Sequence, residues 1–328
     1  MSRAWAGSLH TDQQPAAEQR IAAEPTPSPR EAPAWLAPGG PYDVDERDYH
    51  ADRTALSSSG ARTLTTSCPA RFKWERDNGR PDTPAMEFGR AYHSMVLGSG
   101  PKVVEIKAKT RGTKAEDQAR ADGHIPLITK DYERAVGMAA ALYSHPIAGP
   151  LFARAGTAEQ VFVAPDPDTG VLCKIRVDWM PRVFGGRPLL VDLKTCNDAQ
   201  PAAFAKSMAN YGYHQQGAFY SDVLSWAGAD NGQTPRFVLV AQEKEPPYLV
   251  MIAEPDDQAT AWGRELNRQA LFIYRWCTGR DEWPGYEADL PADHGGIARL
   301  ALPGWQVAAY EAAYDRRRQA LELIGAPA

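Results

Sequence analysis

The sequence predicts an α/β protein with a mixed central β-sheet flanked by helices. Three observations predict it. Residues 158–165 and 171–180 alternate apolar and polar side chains, and 188–195 reads as a third strand. Helical patterns precede, interrupt and follow these runs. Two more strand-like runs, 236–243 and 248–253, lie beyond the interruption. Helix, three strands, helix, two strands, helix is an order that a mixed sheet with packed helices satisfies.

The elements follow along the chain. Residues 1–40 hold six prolines among Ala, Glu, Gln and Ser, with no hydrophobic period. We read 1–41 as a disordered tail and 42–328 as one domain. Ser57-Ser58-Ser59 offers an N-cap to a helix over about 59–77, with Leu64, Phe72 and Trp74 on its apolar side. Cys68-Pro69 is expected to kink or break it. A helix over 84–97 starts on Pro84 and buries Phe88, Ala91, Tyr92 and Met95. Residues 102–120 carry six basic and three acidic side chains. They are either a solvated loop or an arm that tracks phosphates, with Lys107, Lys109, Arg111 and Lys114 as candidate DNA contacts. Arg176 is a further candidate. A helix over 129–144 leads into the strands, and Asp166-Pro167-Asp168-Thr169-Gly170 reads as a hairpin turn. One long helix is expected over 200–227, then helices over 256–278 and 305–324.

Composition bounds the function. The net charge is −5, so any contact with nucleic acid must come from a local patch. No apolar run approaches the ~18 residues of a membrane helix, and no secretory leader is evident, which points to a soluble cytoplasmic protein without a membrane partner. The four cysteines (Cys68, Cys173, Cys196, Cys277) are scattered. They are expected as buried thiols, with neither a zinc knuckle nor an iron–sulfur cluster. No GxxxxGK[ST] motif supports a nucleotide-hydrolysing reading.

The chemistry concentrates in four segments, EQVFVAP (159–165), LCKIRVDWM (172–180), LLVDLKT (189–195) and YHQQGAFY (213–220). Residues two apart on a strand share a face, so Asp192 and Lys194 point the same way. If the neighbouring strands pair, Asp178 and Asp192 can converge on one cation. Two carboxylates and the Leu193 carbonyl suit Mg²⁺, which prefers hard oxygen ligands. Lys194 would stabilise charge building on a phosphate, or serve as a base. Gln216 and Tyr220, four apart, share one helix face. A lone Asp-x-Lys is ordinarily a salt bridge at a strand end; its company here gives it meaning.

Together these residues resemble the PD-(D/E)xK nuclease superfamily. More narrowly they resemble its RecE-type branch, exodeoxyribonuclease VIII and related phage exonucleases. The resemblance runs from LSSSGARTLTTSCPARFKW (56–74) through TPAMEFGRAYHSMVL (83–97), with its Phe-Gly-x-x-x-His, to the four segments above. It implies a restriction-endonuclease-like core. It implies His93, Asp178, Asp192 and Glu159 as metal ligands, Lys194 as the catalytic lysine, and Gln216 and Tyr220 as residues lining the site against the substrate strand. The implied cofactor is Mg²⁺, with Mn²⁺ as substitute. The implied activity is 5′→3′ degradation of duplex DNA from its ends, leaving a 3′ single strand for a RecT-like annealing recombinase. The implied setting is a bacterial or phage-infected cell, and a homo-oligomeric ring is a further expectation. Val177 replaces the Pro that names the motif, which alters only a strand end. A structure-specific endonuclease on the same core, or a non-catalytic DNA-binding or assembly protein on a nuclease scaffold, remain the alternatives.

Overall fold

A computed structural model describes residues 33–79, 81–182, 186–289 and 297–323. Residues 1–32, most of the expected tail, lie outside the described residues. The remainder of that stretch is folded: Leu36 is buried, and β1 (Gly39–Asp43) pairs antiparallel with a later strand. The domain therefore begins before Tyr42. Proline-rich composition hid a short edge strand there, a position that tolerates Pro41 because its missing N–H faces no partner.

The chain continues through α1 (Glu46–Ala51), β2 (Leu56–Ser57), α2 (Ser58–Thr66), α3 (Pro69–Asn78) and α4 (Pro84–Leu97). Ser57 caps α2 by accepting from Gly60 N (3.3 Å), and Pro69 begins α3, so the expected break falls at Cys68. Thr83 caps α4, and Gly98 ends it at φ +63°. The basic stretch 102–120 is not a loop. It contains β3 (Val103–Ile106) and α5 (Lys114–Ala121), and β3 pairs in parallel with β4 (Ile125–Ile128) as a separate two-stranded sheet. Then come α6 (Thr129–Ser144), α7 (Ala148–Ala153), the hairpin β5 (Gly156–Pro165) and β6 (Leu172–Pro181), and β7 (Leu189–Cys196). The hairpin turn closes as Asp166 Oδ2 accepts from Thr169 N (2.7 Å) and Gly170 adopts φ +71°.

The expected long helix is two helices, α8 (Pro201–Tyr211) and α9 (Tyr213–Trp226), parted by Gly212 at φ +67°. The left-handed conformation is accessible to glycine and ends α8. Strands β8 (Arg236–Glu243) and β9 (Val250–Ala253), then α10 (Asp257–Arg280) and α11 (Gly304–Leu323), complete the described chain.

The main sheet has the order β1-β5-β6-β7-β8-β9, with β2 parallel to the start of β6. Pairing is antiparallel except β7–β8 and β2–β6, so the sheet is mixed and mostly antiparallel. One face packs Ile175, Leu190 and Leu239 under α2, α9 and α10. The other packs Val191, Leu193, Val238 and Val240 under α4 and α6. Residues 190 and 191 thus alternate between two cores, as a central strand requires. A buried ion pair, Lys174 Nζ to Asp52 Oδ2 at 2.9 Å, fastens the segment after α1 to β6, and Lys174 also donates to the Tyr49 carbonyl (2.6 Å).

Candidate functional site

The site forms where two neighbouring strands separate. β6 and β7 pair at Trp179–Val191, and β2 takes the β6 edge at Cys173 and Lys174. Between these points β6 and β7 fork. Asp178 fills the fork: its Oδ2 accepts from Leu193 N (2.9 Å), replacing the ladder bond that the divergence removes.

Each side of the sheet contributes one polar group to the fork. From α4, Tyr92 is fully buried and its hydroxyl donates to Gln242 Oε1 on β8, which fixes the helix against the sheet. The next residue, His93, sets Nε2 2.6 Å from Leu193 O and Nδ1 3.6 Å from Asp178 Oδ2. A carbonyl only accepts, so Nε2 carries the proton in this arrangement. From α9, Gln216 Nε2 donates to Asp192 Oδ1 (2.6 Å). Asp192 is almost wholly buried and its Oδ2 lies 2.6 Å from Lys194 Nζ, confirming that residues 192 and 194 share a face.

Glu159 stands opposite Asp178, between the pairs Ala158–Trp179 and Gln160–Val177. Its backbone has φ +55°, uncommon for a residue with a side chain and a form of strain concentrated at functional sites. A ring nitrogen of His93 and single carboxylate oxygens of Glu159 and Asp178 lie within 4.8 Å of one another. Arg176 Nε lies 2.6 Å from Glu159 Oε2, and its Nη2 3.7 Å from Glu46 Oε1.

The electrostatics follow from burial. Burial, with the charge of Asp178 added and that of Arg176 opposing, pushes the Glu159 carboxyl up to about 7. Burial also raises Asp192, to about 6; Lys194 pulls it down and Asp178 pushes it up. For Lys194, burial alone would favour the neutral amine, but Asp192 and Asp178 together hold it above the ordinary lysine value. Without a metal on those carboxylates, this favours the charged ammonium form of Lys194. Glu159 Oε2 and Asp192 Oδ2 are buried acceptors without an aligned hydrogen bond, despite the nearby cations. Both instead sit in 2.6 Å ion pairs, and it is the neighbouring set of two carboxylate oxygens and an imidazole nitrogen within 4.8 Å that fits a metal ion.

The sequence-predicted residues divide into groups. His93, Glu159 and Asp178 come together as one cluster. Asp192 stands beside it, outside the three-residue group, held by Gln216 and Lys194; the Leu193 carbonyl is engaged by His93. Tyr220 lies beside Gln216 at the back of the site. It is buried, its hydroxyl donates to Arg176 O (2.9 Å), and it packs edge-on against Phe237, so it positions β6 against α9. Two of the candidate DNA contacts are engaged in ion pairs. Arg111 is bound to Asp131 (2.6 Å) and Glu87 (3.2 Å), and Arg176 is bound in the site. Lys107, Lys109 and Lys114 are exposed. Sequence reasoning missed Tyr213, whose ring lies 5.1 Å from Lys194 Nζ. The signal available was Tyr211-Gly212-Tyr213, a glycine between aromatic residues in an otherwise helical pattern.

A divergent strand pair carrying Asp and Asp-x-Lys, overlaid by a Gln-bearing helix, is the arrangement expected of the nuclease superfamily that the motifs resemble. The family described as "PDDEXK-like domain of unknown function (DUF3799)" matches residues 57–290. The chain belongs to this family. The match takes in every segment that carries a cluster residue. No curated protein matches the sequence. A crystal structure of a protein from Eubacterium rectale, named "Putative exonuclease", is similar at a TM-score of 0.54 and 16% identity, over 80% of this chain and 96% of that one. At that identity the likeness establishes the fold, a mixed sheet flanked by helices. A crystal structure of SSO0001 is matched at a TM-score of 0.32 and 14% identity, over 68% of this chain and 76% of that one, and carries no argument. Among the described residues of this PDDEXK-like protein, no helix is long and apolar enough to cross a membrane.

Proposed function

We propose that this protein is a divalent-metal-dependent deoxyribonuclease that degrades duplex DNA from its ends. The observation that carries the reading is the fork between β6 and β7. It gathers His93, Glu159 and Asp178 within 4.8 Å and sets the Lys194 ammonium against Asp192 beside them. A structural salt bridge accounts for Asp192–Lys194 alone, but not for three further ligand-type groups and a strained Glu159 at one point.

The residues fit a hard cation. Asp178, Glu159 and Asp192 supply carboxylate oxygens, and His93 adds an imidazole that makes Mn²⁺ as acceptable as Mg²⁺. When bound, the cation supplies Lewis-acid polarisation of the scissile phosphate and acidification of an attacking water. The chain supplies the rest. Lys194 offers a fixed positive charge to the charge building on the phosphate, in a partly buried place where such charges act strongly. Gln216 holds Asp192 in one rotamer, and Asp178 is fixed by the Leu193 amide. Tyr220 sets the spacing between α9 and β6. Attack from the ends, 5′→3′ polarity and delivery of a 3′ strand to an annealing recombinase rest on the resemblance to RecE-type exonucleases.

The test is an assay on end-labelled linear duplex and on closed circular DNA, with Mg²⁺, with Mn²⁺ and with chelator. The expected result is loss of linear duplex with either ion, intact circles, and no reaction with chelator. Nicking of circles as fast as trimming of ends would move the reading to an endonuclease. No cleavage of any DNA with either ion would leave a binding or assembly protein.

A further inference from the structure

The lysine at the centre has an aromatic neighbourhood that the chemistry above does not use. Gly212 ends α8 and begins α9, and a tyrosine lies on each side of the break. The rings of Tyr211 and Tyr213 stack, with centroids 5.7 Å apart and 25° between their planes. Tyr213 in turn lies 6.0 Å from Phe204 at 30°, and Phe204 is buried. Three rings thus form a ladder from the core to the surface. The middle ring stands 5.1 Å from Lys194 Nζ, and the outer ring, Tyr211, is 58% exposed.

We propose that Tyr211, supported by Tyr213, is a stacking platform for one unpaired nucleobase of the substrate strand, beside the phosphate that Lys194 serves. The inference rests on the nuclease reading and adds what the site recognises. A single exposed tyrosine is ordinary on a protein surface. This one differs in three respects. It belongs to a ladder anchored in the core. Its backbone is pinned, because Arg62 Nη1 donates to the Tyr211 carbonyl (2.5 Å) and a side chain at position 212 would meet Arg62 Cδ at 2.9 Å. It also lies within one ring of the catalytic ammonium. A pre-set ring loses little freedom when a base settles on it.

The occupant follows from geometry. A base inside a duplex has both faces covered by its neighbours, so only a terminal or unpaired base can offer a face to a tyrosine. Aromatic stacking of this kind tolerates every base, which suits an enzyme that proceeds through arbitrary sequence. Lys194 beside the middle ring attracts the phosphate of the same strand, placing base and phosphate on neighbouring groups of one wall.

The experiment uses the full chain carrying Asp178→Asn, so that DNA is bound without being cut. The probe is a duplex with a short single-stranded end, carrying 2-aminopurine at each unpaired position in turn. The expected result is quenching at one position and its loss in Tyr211→Ala, which also binds about tenfold more weakly. Tyr211→Phe keeps both the quench and the affinity, since the ring and not the hydroxyl is used. Equal affinity and equal quenching in Tyr211→Ala would overturn the platform and leave the nuclease reading standing. Failure of the Asp178→Asn chain to bind any DNA would overturn both.

Discussion

The roles of single side chains here are set by what each already touches. Asp192 and Asp178 raise Lys194 above the ordinary lysine value, which favours a contribution as positive charge. Lys194→Ala is expected to lower kcat by about 10²–10³-fold, the cost of removing one preorganised charge or donor at a transition state. Asp192→Asn is expected to abolish turnover, because it also removes an oxygen donor and the partner of Lys194. Single-turnover cleavage of linear duplex measures both. The acids also make a prediction about stability. Glu159 and Asp192 have folded values of about 7 and about 6, above their ordinary 4.5 and 3.8. The folded protein therefore holds more protons than the unfolded chain across that interval, and stability falls as pH rises through it. Metal-free protein is expected to melt at progressively lower temperature between about pH 4 and pH 7, with Glu159→Gln flattening the upper part of the slope and Mn²⁺ reversing it. A Tm that rises over the whole interval in chelator would contradict the burial of these carboxylates.

At the level of elements, the legible parts were those with a local physical signal. Helix α4 was legible to its ends because Thr83, Pro84 and Gly98 mark them. The β5–β6 hairpin was legible because Asp166 and Gly170 suit its turn. The fork was not, since pairing of β6 with β7 at one end and β2 at the other is a tertiary fact. Asp-x-Lys announced a shared face, but not that Asp178 would take a backbone amide. The β3–β4 sheet was masked by its basic surroundings: Arg111 and Arg120 look like phosphate contacts until Glu87 and Glu116 are seen beside them. The break at Gly212 was masked for another reason, because apolar residues continue at helical spacing on both sides. Close helix packing was equally silent. A Cβ at Gly263 on α10 would lie 2.5 Å from the His214 carbonyl oxygen of α9, backbone that cannot step aside. Gly263→Ala is expected to cost about 1–3 kcal/mol in a denaturant melt. It is also expected to slow cleavage, because α9 carries the Gln216 that holds Asp192.

For the whole molecule, the proposed DNA substrate must be held by a chain of net charge −5. Many of its arginines are committed to carboxylates, among them Arg111, Arg120, Arg134, Arg176, Arg236 and Arg264. Lys107, Lys109 and Lys114 are different: they are exposed, and each lacks an ion pair among the described residues. They border the small β3–β4 sheet, and Arg111 and Arg120 brace that unit to Glu87 on α4, the helix that bears His93. The lysines are thereby carried on a unit ion-paired to the helix that bears His93. A protein with few phosphate contacts should have a shallow salt dependence, since log K falls by about 0.9 per log unit of salt for each duplex phosphate neutralised. Changing all three lysines to glutamine is expected to flatten that slope by up to about 3 and to weaken duplex binding at low salt. The Tm and the metal affinity are expected to stay unchanged, because none of the three is buried or near a ligand. Anisotropy titrations of Asp178→Asn protein across a salt series read the slope directly. An unaltered slope would take the DNA path off this face of α4 and place it on the opposite side of the fork, along α8 and α9.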